Sequence, residues 1–357
     1  MTIPGVAGRD IADMMAPQGA RRQALPGYDA DYADIVDYII RCTHRIWEQK
    51  DIGLIETHYS DDCLMHLMTG PIEGAAGVVA NTIRTLAAFP DRTLMGEAVI
   101  WSPEADGAYL SSHRITSSGT NLGASDFGPA TGRRVQFTTI ADCLCRENRI
   151  VEEWLVRDNS ALTLALGLSP RAVARAHAKA DRAQNDGQSG DAAPWRAAAM
   201  DRIRSLNPTP FPDTAMPTPA DATAFAHAVV DQIWNHRRFA KIRDVYSPAA
   251  HAAMPGGRRL FGHGEITGWM TALIGSFGDA RFVADHVASV EDDAGCDIAL
   301  RWTMAGTHDG TALYGAPTGR AIYILAVTHW RVEAGRIIDE VTVFDEVALL
   351  RQIEGGL

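Results

Sequence analysis

Two aspartates stand where acid/base chemistry can be done. Asp158 closes the run Arg149-Ile-Val-Glu-Glu-Trp-Leu-Val-Arg-Asp158, and Asp345 closes Arg336-Ile-Ile-Asp-Glu-Val-Thr-Val-Phe-Asp345. Each run is rich in β-branched residues with alternating faces, so each reads as a strand ending in a carboxylate where a helix can start. A carboxylate at that junction either caps the helix or projects into a pocket, where lost hydration raises its pKa toward that of a general base. His113 and Asp142 are the next candidates. Asp142 sits mid-strand in Ile140-Ala-Asp-Cys, where a carboxylate needs a partner. If its strand neighbours that of His113, Asp142 orients the imidazole for proton transfer; otherwise His113 is a hydrogen-bonded filler. His66, on an earlier strand, is a further candidate for the same pocket.

The elements that carry these residues occur twice. Asp158 and Asp345 are 187 residues apart, and the same offset relates Ile46-Trp47 to Ile233-Trp234, Tyr59-Ser60 to Tyr246-Ser247 and Thr131-Gly132-Arg133 to Thr318-Gly319-Arg320. One domain of roughly 140 residues has been duplicated in tandem. In each copy helical spacing comes first (Ile35, Tyr38, Ile39, Cys42, Ile46, with Asp51 capping a short second helix), followed by a long meander of strands. That order predicts an α+β fold with a curved antiparallel sheet wrapped around helices. The expected division is an N-terminal arm over 1–28, a first domain over 29–168, a helical and Pro-rich linker over 169–219 and a second domain over 220–357.

The repeats differ at the chemistry-bearing positions. Leu300 and His329 stand where the first copy has His113 and Asp142, and Ala253 stands where it has His66. The first copy is therefore expected to keep the chemistry, with His308 and His329 as an alternative site in the second. The matched pairs Trp47/Trp234 and Tyr59/Tyr246 read as core packing or as substrate platforms. Trp154, replaced by Val341, is not required by the fold and reads as an aromatic wall near Asp158.

Composition excludes several classes. A hydrophobic fraction of 46% with 22% charged residues is that of a soluble globular chain. A net charge of −11 argues against nucleic acid and anionic membranes as partners. Neither a signal segment nor a long apolar run is present. Five cysteines, odd in number and unmatched between copies, predict free thiols and a cytoplasmic location. No metal-ligand spacing and no dinucleotide fingerprint occurs, so neither a metal nor a cofactor is expected.

Three stretches together carry a family resemblance: His113-Arg-Ile-Thr-Ser-Ser-Gly-Thr-Asn-Leu-Gly, Gly128-Pro-Ala-Thr-Gly-Arg133 and Glu152-Glu-Trp-Leu-Val-Arg-Asp158. They resemble the SnoaL-like polyketide cyclase or ester cyclase family of the NTF2-like superfamily, as do Gly306-Thr-His-Asp-Gly, Ala316-Pro-Thr-Gly-Arg320 and 339–345 in the second copy. The resemblance implies a cone whose mouth admits a small apolar molecule, with the base at Asp158 and, in the second copy, Asp345. It also implies an internal pseudo-dimer, extended by a further homodimer. The expected function is cofactor-free acid/base catalysis on a small, largely apolar or aromatic carbonyl or hydroxyl compound: an aldol-type cyclase, isomerase, dehydratase or retro-aldol lyase. The rival expectation is a non-catalytic small-molecule-binding or scaffolding module.

Overall fold

The computed structural model describes residues 22–184, 193–206 and 215–356. Most of the expected arm, the polar linker around 185–191 and Pro208, Pro210 and Pro212 lie outside the described residues. By packing, the chain divides into two units, the first ending at Arg157 apart from Ala165–Gly167, the second holding Asp158–Leu164 and Leu168–Leu357 together with Met68–Gly70.

In the first unit helix α1 (Ile35–Trp47) begins at Asp34, whose Oδ1 accepts from the Asp37 amide at 2.8 Å. Its expected apolar stripe, Ile35, Tyr38, Ile39, Cys42 and Ile46, is buried throughout. Leu25 and Tyr28, from the end of the expected arm, are buried in the same core, with the Tyr28 ring edge-on to Tyr38 at 5.0 Å. The short helix α2 (Leu54–His58) starts after Gly53, and Asp51 does not cap it. The Asp51 carboxylate is drawn instead to Arg45, at 2.6 Å. Helix α3 (Gly74–Ala88) is entered through a left-handed Gly74, where a Cβ would stand 2.7 Å from the Asp61 carbonyl.

The strands of the first unit are β1 (Tyr59–His66), β2 (Ile72–Glu73), β3 (Thr93–Pro103), β4 (Tyr109–Thr120), β5 (Arg134–Arg146) and β6 (Arg149–Arg157). They form one six-stranded sheet in the order β2-β1-β6-β5-β4-β3. The sheet is mixed, because β1 pairs with β6 in parallel while the other neighbours are antiparallel.

The second unit repeats this plan with β7 (Tyr246–Met254), β8 (Arg258–Phe261), β9 (Arg281–Glu291), β10 (Gly295–Thr307), β11 (Ala321–Glu333) and β12 (Arg336–Phe344), in the order β8-β7-β12-β11-β10-β9. The registers superpose residue for residue: His113 faces Ala141 across β4 and β5, and Leu300 faces Thr328 across β10 and β11. Position-by-position comparison of the copies therefore rests on backbone pairing.

Three helices join the second unit from the stretch between the strand sets. The first of them, α4 (Asn159–Ala165), follows β6, with its residues through Leu164 in this unit. Helix α5 (Pro170–Gln184) lies along the C-terminal helix Glu346–Ile353, where Asp181 pairs with Arg351 and Arg171 with Glu354 at 2.7 Å. Helix α6 (Pro194–Ser205) packs on the sheet, with Trp195 edge-on to Tyr323 and Arg202 paired to Asp285 at 2.7 Å.

Asp158 anchors the start of α4. Its Oδ1 accepts from the Ala161 amide at 2.9 Å, and its two oxygens accept from the Gly256 amide at 2.8 and 3.0 Å and from the Gly257 amide at 3.2 Å. The carboxylate is only 6% exposed, so its removal leaves three amide donors without a partner. Asp158→Ala is expected to destabilise the protein by roughly 2–4 kcal/mol in urea unfolding, from a lost cap plus stranded donors. Asp158→Asn, which retains a capping oxygen, is expected to lose less.

Candidate active site in the first repeat

The strand alternation sorts the expected residues onto two faces. Met65 pairs with Glu153 and His66 with Trp154 across β1 and β6; Asp142 pairs with Trp154 across β5 and β6, and His113 with Ala141 across β4 and β5. Met65, Glu153, Ala141 and His113 line a cavity of about 770 Å³, its mouth included, between the sheet and the helices. His66, Trp154 and Asp142 are out of phase with them and face the other side.

Asp142 therefore does not orient His113, contrary to the sequence expectation. It accepts a hydrogen bond from Ser112 Oγ at 2.5 Å on its own face. His66 lies outside the cavity too, with its Nε2 2.7 Å from Glu152 Oε1 and its ring stacked on Trp154 at 5.1 Å. Trp154 thus does not wall the cavity. Asp158 and Asp345 are both cap residues. Asp345 Oδ1 accepts from the Ala348 amide at 2.9 Å at the start of the C-terminal helix, and its Oδ2 accepts from Asn159 at 2.5 Å. Neither aspartate is among the residues lining a cone. Burial raises the pKa of Asp158, and the amide bonds oppose that shift.

His113, Trp47 and Tyr59 do reach the cavity. Gly96, on β3, leaves space for the His113 ring, since a Cβ there would stand 3.1 Å from Nε2. The imidazole Nδ1 is 3.4 Å from Thr43 Oγ1, whose own proton goes to the Ile39 carbonyl at 2.8 Å. Nδ1 is therefore the donor, and Nε2 is left with a lone pair and no hydrogen-bond partner among the described residues. Burial without a counter-charge lowers the His113 pKa to about 4, so the ring is neutral at physiological pH.

Sequence reading missed the central carboxyl, Glu153. It sits on β6 at an inward position, 4% exposed, and its Oε2 accepts from the Tyr59 hydroxyl at 3.1 Å. Burial raises its pKa to about 7, opposed by the Tyr59 bond and by Arg157. The signal was available in the duplication. Glu153 matches Glu340 and Tyr59 matches Tyr246 at the common offset, and Tyr246 donates to Glu340 at 2.5 Å in the second cone. A carboxylate repeated on the inward face of an apolar strand needs a reason, and a hydroxyl repeated with it supplies one.

The second cone has the same frame and a different filling. Trp234, Trp269, Trp302, Trp330, Phe282 and Phe344 crowd it, leaving a cavity of about 420 Å³, its mouth included. Glu340 is held on both oxygens, by Tyr246 and by Thr342 Oγ1 at 2.6 Å. His308 is buried beside Thr318, with Nδ1 to Oγ1 at 3.1 Å, while His329 pairs with Ala299 on the face away from the cavity. His308 follows the last pair of the β10–β11 ladder, nine residues beyond Ala299, the partner of His329, so the two histidines form no common site. Among the described residues no three His, Cys, Asp or Glu side chains gather as a metal site.

Opposite pH dependences follow from the two buried groups. Folded Glu153 keeps its proton up to about pH 7, so ionisation in the unfolded chain makes stability fall as pH rises through that window. Folded His113 stays neutral down to about pH 4, so its unfolded-state protonation makes stability fall as pH drops below about 6.5. Relative to the unsubstituted chain, Glu153→Gln is expected to gain stability toward pH 8, and His113→Leu toward pH 4. Thermal unfolding across pH 4–8 measures both; parallel curves for all three proteins would rule the assignments out.

Solved structures similar to the chain include a SnoaL-like polyketide cyclase from Jannaschia sp. CCS1, at 18% identity, covering 40% of this chain and 98% of that one, TM-score 0.35. Another is IdmH, a polyketide cyclase by its description, from Streptomyces antibioticus, at 24% identity, covering 37% and 98%, TM-score 0.33. No curated protein matches. The model of the SnoaL-like polyketide cyclase family matches residues 38–166 and again 225–353, more than half of the chain, and the protein accordingly belongs to that family, as two tandem copies of its domain.

Proposed function

We propose that the first repeat is an acid/base enzyme acting on a small, largely apolar or aromatic carbonyl compound, with Glu153 as the proton-transfer group. The observation that carries this reading is one carboxyl, titrating at about 7, on the wall of the roomier cavity. A general base is most effective when its pKa lies near the working pH. The reading puts the base on Glu153 in place of Asp158, whose oxygens are engaged by three backbone amides.

The steps need only side chains. Ionised Glu153 takes a proton from the carbon next to a substrate carbonyl, and the electron pair of that C–H bond becomes the enolate. The enolate carbon attacks a second carbonyl of the same molecule, a C–C bond closes the ring, and the new alkoxide takes the proton back from Glu153. Tyr59 holds the carboxyl in place and offsets part of the rise in proton affinity that burial causes. The bare Nε2 of His113 accepts a hydrogen bond from a substrate hydroxyl. Isomerisation, dehydration and retro-aldol cleavage share the first step; ring closure is preferred because the chain belongs to a cyclase family.

The second repeat is read as a non-catalytic partner, since its cone is filled by indole rings and its glutamate is bonded on both oxygens. The test follows deuterium exchange of the α-hydrogens of an aryl ketone by NMR. The unsubstituted protein should accelerate exchange, Glu153→Gln should lower that acceleration by about 100-fold or more, and Glu340→Gln should leave it unchanged. Full exchange activity in Glu153→Gln would refute the proposal.

A further inference from the structure

The first cavity holds a cation without a counter-charge. Arg92 is 4% exposed and lines the cavity, yet among the described residues it forms no ion pair. Its Nη2 donates to Ser117 Oγ at 2.8 Å and its guanidinium lies over the Trp47 ring at 4.1 Å, so the group is fixed in direction. Nε and Nη1 are buried with no hydrogen-bond partner among the described residues. A second guanidinium, Arg157, lines the same cavity and is near enough to disfavour the charge on Arg92. Thr139 Oγ1, beside them, is also without a partner.

Burying an unpaired guanidinium costs several kcal/mol, and the fold does not require one here. The second copy shows this directly. By the strand registers Phe344 stands at the position of Arg157 and Ala326 at that of Thr139. Asp91 and Asp279 cap Thr120 and Thr307 in the same way, which puts Ala280 at the position of Arg92. The tyrosine–glutamate pair is common to both cones, while this polar end belongs to the first alone.

Resting on the acid/base reading above, we infer that the substrate of the first repeat carries a carboxylate, bound at one end of the cavity by Arg92 with Arg157 and Thr139. Glu153 and Arg157 occupy inward positions four residues apart on β6, about 13 Å along the strand. That span fits a substrate of two or three fused rings whose acid group is at one end and whose reacting C–H is toward the other. The substrate class is thus an aromatic keto acid in free-acid form, in contrast to an ester or amide. A carboxylate on guanidinium nitrogens forms charge-assisted bonds, and it supplies the acceptor that the buried Nε and Nη1 of Arg92 lack.

The experiment measures quenching of tryptophan fluorescence, to which Trp47 contributes, by 2-naphthoate and by 2-naphthamide. The unsubstituted protein should bind the carboxylate at least about tenfold more tightly than the amide. Arg92→Leu should erase that preference while keeping or raising the melting temperature, because an apolar side chain replaces an unpaired charge. Glu153→Gln should retain the preference, so failure of the acid/base reading leaves this result standing, and the converse also holds. Equal binding of the two probes, no binding of either, or an unchanged preference in Arg92→Leu would overturn the inference.

Discussion

The alternation of side chains along a strand decides which residues of this protein can meet. Successive positions on β4, β5 and β6 point to opposite faces, so a shift of one residue separates the cavity from the far side of the sheet. His113 and Asp142 look like a pair when only strand adjacency is considered. Their strands are indeed neighbours, but His113 is in register with Ala141, and the two side chains are divided by the sheet. The same parity brings Met65, Glu153, His113 and Arg157 together on one wall, from three strands, β1, β6 and β4.

The two copies act as a control on one another. Because their registers agree, each position asks what the fold needs and what the first cavity adds. The pairs Tyr59/Glu153 and Tyr246/Glu340 occur in both, which ties a hydroxyl and a carboxyl to the common architecture. Around them the second cone is packed with aromatic rings, and a chain of bonds runs from Trp302 through Thr328 and Thr342 to Glu340. In the first cone Ile115, Ala141 and Leu155 occupy the corresponding places, none of them able to donate. One frame is thereby built once as a filled core and once as a cavity with polar ends.

The duplication, the order of helices before strands and the α1 stripe are all legible in the sequence, because they depend on period and offset. Boundaries that depend on tertiary partners are not. Asp51 has the right spacing for a cap, but Arg45 competes for it and wins. Asp158 was legible as a cap or as a base, and what decides between them, the amides of Gly256 and Gly257, lies 98 and 99 residues further along the chain. Glu153 was hidden by its company: beside Glu152 and between Val151 and Trp154 it reads as half of a solvated pair, and only the phase of the strand distinguishes the inward glutamate from the outward one. Arg92, just after the turn at Pro90, carries no local sign of burial.

The assignment of Asp158 and α4 to the second unit has a consequence for the order in which the protein is made. During synthesis from the N-terminus the six strands of the first sheet are complete once Arg157 has emerged, and they need nothing later in the chain to pair. The segment that follows is different: the amides that receive the Asp158 carboxylate, and the C-terminal helix against which α5 lies, are among the later residues to be translated. Residues 158–164 and 168–184 therefore wait, as a nascent chain, for partners that do not yet exist. A stop or a slow codon cluster within the second repeat leaves a finished first cone followed by an unpacked helical segment, and that segment is where a chaperone or a protease would find the growing polypeptide.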